Sequence, residues 1–479
     1  MRTPGPHDAS HERRRRSLAA TGALPAMLAL FGACAGAPDP PDVVLLTLDT
    51  LRADRLGAYG AADVFTPAFD ALAAEGVLFE RAAAPMPLTL PSHFSMLTGK
   101  HPREHGVLNN GMVLPDDERT LAETFRDHGY RTAAFVAVSL LSPEAGADQG
   151  FETFSGPASG QRRAERVVPE ALAWLGGVPE EQPVFLWVHL FDPHQPYAPG
   201  PPWDAEALER SGGRWPSLHW PDFERLAAGN GGDLPREVLE HALRLYDGEV
   251  EYTDHWLGRL VEGLKERGHW RDGVVAVAAD HGECFENGIY FEHADCLFEG
   301  AIRVPMVVLH PGREGAGRRV GGQVSLVDLA PTILAAAGLP PEPGQSGVAH
   351  RPGGEVEAGR AVLIQHTVYR SRPAARRQRR QQLIRSVAGD PTRPLLVEGD
   401  LFGIVDDGWK YLRGDGREEL YRLAPEADET VDLAGAEPAA REAMRRRLAA
   451  EIERHPARTP AREALDDELR RNLESLGYL

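Results

Sequence analysis

The sequence predicts an α/β protein: a large, mainly parallel sheet flanked by helices, followed by a smaller C-terminal α+β subdomain. Three observations carry this. Short apolar runs bounded by turn residues recur along the chain, the pattern of strands buried on both faces. Helical stretches alternate with them. A region rich in Pro and Gly at 338–359 then breaks the pattern, and two shorter strand-like runs follow.

Residues 1–33 read as an export segment, with a basic region at Arg13 to Arg16 followed by an apolar, small-residue stretch. The stretch is too short, and too interrupted by Gly22 and Pro25, for a membrane span. It ends in Leu30-Phe31-Gly32-Ala33-Cys34, which is similar to the lipobox of bacterial lipoproteins, where the cysteine becomes lipidated. The expectation is therefore an exported periplasmic or cell-envelope lipoprotein anchored to the membrane through Cys34, or otherwise a secreted protein. Residues 34–41 form a linker.

From there the expected strands are 43–48, 132–138, 184–190, 274–279 and 304–309, and the expected helices include 69–75, 121–128, 238–267 and 326–337. Residues 42–345 make the main domain. Residues 360–435 make the smaller one, with antiparallel strands 403–412 and 418–423 joined by the turn Gly414-Asp415-Gly416. The arginine cluster at 370–385 reads as a solvated loop or edge element. In the tail, 436–479, Leu465, Leu469, Leu473 and Leu476 fall on one helical stripe. Residues 196–230, rich in Trp, Pro and Gly without periodicity, read as loops that shape a pocket.

The formal charge of −19 argues against nucleic acid as a partner. Besides Cys34, the chain has only Cys284 and Cys296, either as a disulfide or as two buried thiols.

Two aspartates each close a buried strand, Asp49 after 43–48 and Asp280 after 274–279. Ligands collect at the carboxyl ends of strands in such sheets, so these acids can converge on one ion.

Six segments in order carry a resemblance: Asp-Thr-Leu-Arg-Ala-Asp-Arg-Leu-Gly-Ala-Tyr-Gly (49–60), Thr-Leu-Pro-Ser-His (89–93) with Leu-Thr-Gly-Lys-His-Pro (97–102), His-Leu-Phe-Asp-Pro-His-Gln-Pro-Tyr (189–197), Asp-His-Gly-Glu (280–283), Ile-Arg-Val-Pro (302–305) and Val-Asp-Leu-Ala-Pro-Thr (327–332). They resemble the sulfatase family of the alkaline phosphatase superfamily. The resemblance implies an alkaline-phosphatase-like sheet and metal-dependent hydrolysis of sulfate or phosphate esters. Asp49, Asp280, His281 and the Thr89 hydroxyl would hold one divalent ion, with zinc or manganese ahead of calcium.

Thr89 stands where formylglycine-dependent sulfatases have Cys or Ser, and its methyl group bars oxidation to the aldehyde. The Gly-Lys-Trp-His segment that serves sulfate in those enzymes is replaced by Ala137-Val138-Ser139-Leu140. Thr89 instead resembles the nucleophile of the phosphodiesterase and phosphoryl-transferase branches. That moves the expectation towards phosphomonoesters or phosphodiesters, through hydrolysis or group transfer.

His194, His293 and His93, the last in place of the sulfatase arginine, are the catalytic candidates. Asp192 and His189 are further candidates for a second ion. Arg52 and His105 are expected to hold loops, and Lys100 is one of only three lysines. The competing reading is a non-catalytic surface lipoprotein that binds envelope components or glycans.

Overall fold

The computed structural model describes Met1 and residues 40–210, 215–230, 234–268, 270–285, 291, 293, 296–366, 400–406, 408–414, 416–423 and 429–460. Cys34, the arginine cluster at 370–385 and the leucine stripe from Leu465 to Leu476 lie outside the described residues. The chain divides at Asp39/Pro40 into two units, and every described strand and helix belongs to the second.

Thirteen strands are described. Those of the large sheet are β1 (Val43–Leu48), β2 (Val77–Ala83), β3 (Arg131–Phe135), β4 (Thr153–Ser155), β5 (Val184–Leu190), β6 (Val274–Ala279), β7 (Arg303–Val304), β8 (Met306–Leu309) and β9 (Arg318–Ser325). Their order is β4-β3-β5-β1-β6-β8-β2-β7, with β9 also pairing β2. The first five of that order, and the β2–β9 pair, run parallel; β8 and β7 run antiparallel to their neighbours. The central strands β1, β5 and β6 are buried throughout, because helices cover both faces of such a sheet.

The fold class matches the sequence reading, and the departures have local causes. The expected strand 304–309 is two strands split at Pro305, which has no N–H to give a ladder. Its carbonyl still accepts from Ala279. Strands β2, β4 and β9 are additions to the expected set. β2 and β9 carry charged residues and lie away from the central strands, so they lack the long apolar run of a doubly covered strand. Residues 196–230 are not only loops: they contain the helices Trp203–Arg210 and Trp220–Ala228.

The second sheet is antiparallel: β10 (Val362–His366), β11 (Leu401–Val405), β12 (Trp409–Gly414) and β13 (Arg417–Arg422), in that order. The single strand expected at 403–412 is broken because the Asp406 carboxylate accepts from the amides of Gly408 and Trp409, closing a side-chain turn. Gln365 N–H donates to Pro85 O at 2.9 Å, so the edge strand β10 meets the segment that leads to Thr89.

The helix Pro438–Arg454 packs on this sheet through Met444 and Leu448. Its end is strapped to the loop after Thr98: Arg458 contacts Asp117 and Glu118, and His455 sits 3.3 Å from Glu104 and 3.7 Å from Glu451. Burial works to lower the His455 pKa, but the two carboxylates outweigh it and push it up to about 9. An unfolded histidine titrates near ~6.5, so this contribution is fully present below that pH and is lost as pH rises through about 9. In chemical denaturation, His455→Gln should therefore cost about 1 kcal/mol at pH 6 and close to nothing at pH 10.

Candidate active site

The register of the sheet creates the site. Leu48 of β1 pairs with Ala279 of β6, so the next residues, Asp49 and Asp280, leave adjacent strands side by side. On the other flank of β1, Thr47 pairs with His189 of β5. The side chains of Asp49, Asp280 and His189 are all buried.

Backbone strain holds the pair. Thr50 has φ of 58°, a left-handed conformation that costs a β-branched residue about 1–3 kcal/mol. It is held there on several sides. Thr50 N–H donates to Asp280 Oδ1 at 3.1 Å, its hydroxyl donates to Asp49 Oδ1 at 2.6 Å, and its carbonyl accepts from the Tyr246 hydroxyl at 2.8 Å. The strained residue thus bridges both acids.

Thr89 opens the helix Thr89–Thr98, every residue of which is buried. The helix is tied to the acids by Ser92, whose hydroxyl donates to the Asp280 carbonyl at 2.7 Å. Leu90 N–H, one of the amides that no helical carbonyl can satisfy, donates to Asn110 Oδ1 at 2.9 Å. His105 donates through Nε2 to Ser95 and accepts at Nδ1 from Val107, and so braces the far end of this helix.

Hydrogen-bond bookkeeping assigns the histidine tautomers, because a carbonyl can only accept. Nδ1 of His93 donates to Thr89 O, Nδ1 of His281 to Gly282 O and Nδ1 of His194 to Gln195 O. Nδ1 of His293 lies 3.1 Å from Glu283 Oε1, an acceptor as well. In all four the lone pair is on Nε2. His189 is the reverse: its Nδ1 accepts from Ala137 N–H, so its Nε2 donates to Asp49 Oδ2 at 3.3 Å. It orients a carboxylate and has no lone pair to offer an ion.

Asp192 is taken up elsewhere, by Ala164 N–H and by Arg163 at 3.4 Å, so neither member of the pair expected for a second ion is placed to bind one. Arg52 binds Asp54 and the Glu283 carbonyl, and Lys100 binds Glu118 at 2.7 Å.

The site is short of positive charge. Burial raises the Asp280 carboxyl well above the ordinary range, and neighbouring Asp49 raises it further. Burial also works to raise Asp49, but the hydrogen bond from His189 and the neighbouring imidazoles of His281, His189 and His194 outweigh it and lower that carboxyl. Burial, then neighbouring imidazoles, pushes His93 down to about 3 and both His194 and His281 to about 4.

Around the two acids, Asp280 Oδ2, His281 Nε2 and His93 Nε2 are buried acceptor atoms without a hydrogen-bond partner among the described residues. His281 Nε2 is 3.4 Å from Asp280 Oδ2, and His93 Nδ1 is 3.5 Å from the same oxygen. Asp49, His93 and Asp280 each bring a ligand atom within 4.8 Å of the others. Neutral imidazoles and a carboxylate pair that shares too little positive charge fit a divalent cation. His93 enters this group, in which the sequence places His281 as the only imidazole. The i, i+4 spacing from Thr89 is the signal that puts His93 on the same helical face.

The remaining wall is histidine and aromatic. The His293 ring stacks on His281 at 4.4 Å and meets His194 at 5.2 Å, and His194 stacks on Phe191 at 4.4 Å. A disulfide joins Cys284 and Cys296, one of the two states open to them, and it brackets His293 in the chain. Glu283 accepts from the Tyr197 hydroxyl as well as facing His293. Asn110 and Tyr246 escape sequence reasoning: Asn110 sits in an Asn-Asn-Gly run that reads as a turn, and Tyr246 carries no local signal, whereas Tyr197 closes the motif 189–197 without its role being legible there.

Comparison with known proteins gives a consistent picture. The family model described as Sulfatase matches residues 41–339. An ulvan-active sulfatase of Formosa agariphila is 26% identical over 331 residues, 62% of this chain and 61% of that protein, so the chain spans about three fifths of that relative's length. An N-acetylgalactosamine-6-sulfatase of Rattus norvegicus is 27% identical over 354 residues, covering 66% of each chain. Among solved structures, the phosphonate monoester hydrolase of Agrobacterium radiobacter shares the fold with a TM-score of 0.70 at 24% identity, over 88% of this chain and 97% of that one.

Gly282 shows how tightly this arrangement is packed. A Cβ there would lie 2.1 Å from the Gly300 carbonyl oxygen and 3.2 Å from Arg52 Cγ. Gly282→Ala should lower stability by about 1–3 kcal/mol in thermal or urea melts, and turnover at a temperature where the variant is still folded should fall with it as His281 and Glu283 shift.

Proposed function

The chain belongs to the sulfatase family, and on that premise we propose that it is a metal-dependent hydrolase of sulfate or phosphate esters in which Thr89 is the nucleophile and phosphorus esters are the better substrates. The observation that carries this is the position of Thr89. It opens a buried helix that Ser92 fastens to Asp280, beside a carboxylate pair short of positive charge.

Asp49, Asp280 and His281, with Thr89 and His93 as further donors, would hold one divalent ion. When bound, that ion supplies Lewis-acid stabilisation of the non-bridging oxygens and lowers the pKa of the attacking hydroxyl. Two carboxylates with imidazole suit zinc or manganese ahead of calcium.

The chain's own groups do the rest. The helix N-terminus favours negative charge at Thr89. The Thr89 hydroxyl passes its proton to the Nε2 lone pair of His194 or His293, and its oxygen forms a bond to phosphorus as the ester oxygen departs. The imidazolium so formed gives that proton to the departing oxygen. Water then attacks the phosphothreonine with the same imidazole as base; an alcohol in place of water makes the reaction a group transfer. His189 keeps Asp49 ionised and aimed. The names of the relatives point to sulfate esters, whereas a threonine that cannot become an aldehyde, with Ala137 to Leu140 in place of a Lys/His pair, favours phosphorus.

Thr89→Ala should keep its melting temperature and lose turnover by orders of magnitude. Mass spectrometry of enzyme quenched during turnover should find phosphate on the Thr89 peptide. A clear preference for p-nitrophenyl sulfate over phosphorus esters would overturn the mechanism. Asp280→Ala should lose both bound metal, by elemental analysis, and activity; full metal content in that variant would refute the ligand set. Export with lipidation belongs to the same reading: labelled palmitate should enter the wild type and not Cys34→Ser.

A further inference from the structure

We propose that Lys410, a fully buried lysine of the second sheet, is a positioning residue for the catalytic site: through Glu299 it fixes the single turn of helix that sets His281 and Thr89 at their separation. The inference rests on the metal-dependent reading above and adds to it a part for the C-terminal sheet.

The turn is Glu299–Ile302, and its carbonyls serve two segments. Ala301 O accepts from Gly282 N–H at 2.7 Å, and Gly282 O in turn accepts from His281 Nδ1 at 3.0 Å. The next carbonyl, Ile302 O, accepts from Ala84 N–H at 2.8 Å, at the head of residues 84–88 that lead into Thr89. Consecutive residues of one turn thus carry a hydrogen bond to each half of the site. The approach is close, since Gly300 O leaves no room for a Cβ on Gly282. A displaced turn would move both halves.

Lys410 holds the first residue of that turn. Its Nζ lies 2.8 Å from Glu299 Oε1 and 2.6 Å from Glu429 Oε1, and Glu429 Oε2 accepts from Glu299 N–H at 2.7 Å, which closes a ring of three contacts. Beside them, Phe298 meets Tyr421 of β13 edge-on, with ring centroids 5.8 Å apart.

The chemistry of the ring favours a geometric role over an adhesive one. Buried ion pairs add little net stability, because lost hydration offsets their attraction, but they tolerate few arrangements. Burial opposes the charge on Lys410, and the carboxylates of Glu299 and Glu429 outweigh it and raise its pKa. Glu429 is itself held at φ of 49°, a left-handed conformation that a residue other than glycine keeps only where its surroundings impose it. An apolar side chain at 410 would fill the same space without aiming Glu299.

The test uses the full-length protein, with zinc affinity read by competition against a chromophoric chelator and turnover read on whichever p-nitrophenyl ester the wild type hydrolyses fastest. Glu299→Gln keeps the side-chain shape and leaves Lys410 paired with Glu429, so it should fold. It should weaken zinc binding and lower kcat, each by on the order of tenfold, with KM close to wild type. Lys410→Met combined with Glu429→Gln, which removes the cation together with the more buried acid, should do the same. Leu448→Ala, which loosens the helix packed on the same sheet, is the comparison. It should lower the melting temperature and leave zinc affinity and kcat, measured well below that temperature, unchanged. Variants at Glu299 and Lys410 that lower only the melting temperature overturn the inference and leave the metal-dependent reading standing. Equal losses in Leu448→Ala overturn it as well, by showing that any loosening of the sheet has the same effect. A wild type that binds neither zinc nor manganese overturns both.

Discussion

Two buried carboxylates that cannot both ionise without a counter-charge govern this structure. Asp49 and Asp280 are forced together by strand register, since Leu48 and Ala279 are partners and the acids are simply the next residues. Their repulsion in a water-poor setting is opposed by what surrounds them: the His189 donor on one, the Thr50 and His281 amides on the other, and a strained Thr50 that spans both. On the metal-dependent reading proposed above, this arrangement is preorganised for a cation.

The histidine tautomers extend the same logic outward. Each imidazole has one nitrogen fixed by a neighbour, which decides what the other can do. Carbonyls or a carboxylate hold Nδ1 of His93, His194, His281 and His293, and the reversed His189 is the one fixed by a backbone amide. A site with this many histidines therefore divides them by role through ordinary backbone contacts.

The parts of this design that rest on chain-local chemistry are legible in the sequence. Apolar runs announce the central strands, and an acid directly after a run announces the position of Asp49 and Asp280. What depends on partners far along the chain is not legible. Strands β2 and β9 find each other across more than two hundred residues and carry polar side chains, so neither has the pattern of a buried strand. His189 looks like a ligand because the residue type suits one; only the amide of Ala137 shows that its lone pair is already used. Asp192 looks metal-binding beside His194 until Arg163 and Ala164 claim it. Asn110 and Tyr246 act through contacts that no local motif encodes.

The helix that begins at Thr89 has no exposed face, and its ends are fastened by Asn110, Ser92 and His105. Amides in such a segment should be among the slowest of the domain to exchange with solvent, because buried and well-fastened elements open only with a large cooperative unit. Thr89, the proposed nucleophile, is therefore as durable as the fold. Heat inactivation and global unfolding should follow one curve from this side of the site, and any accommodation of differently shaped esters must be made by the opposite wall.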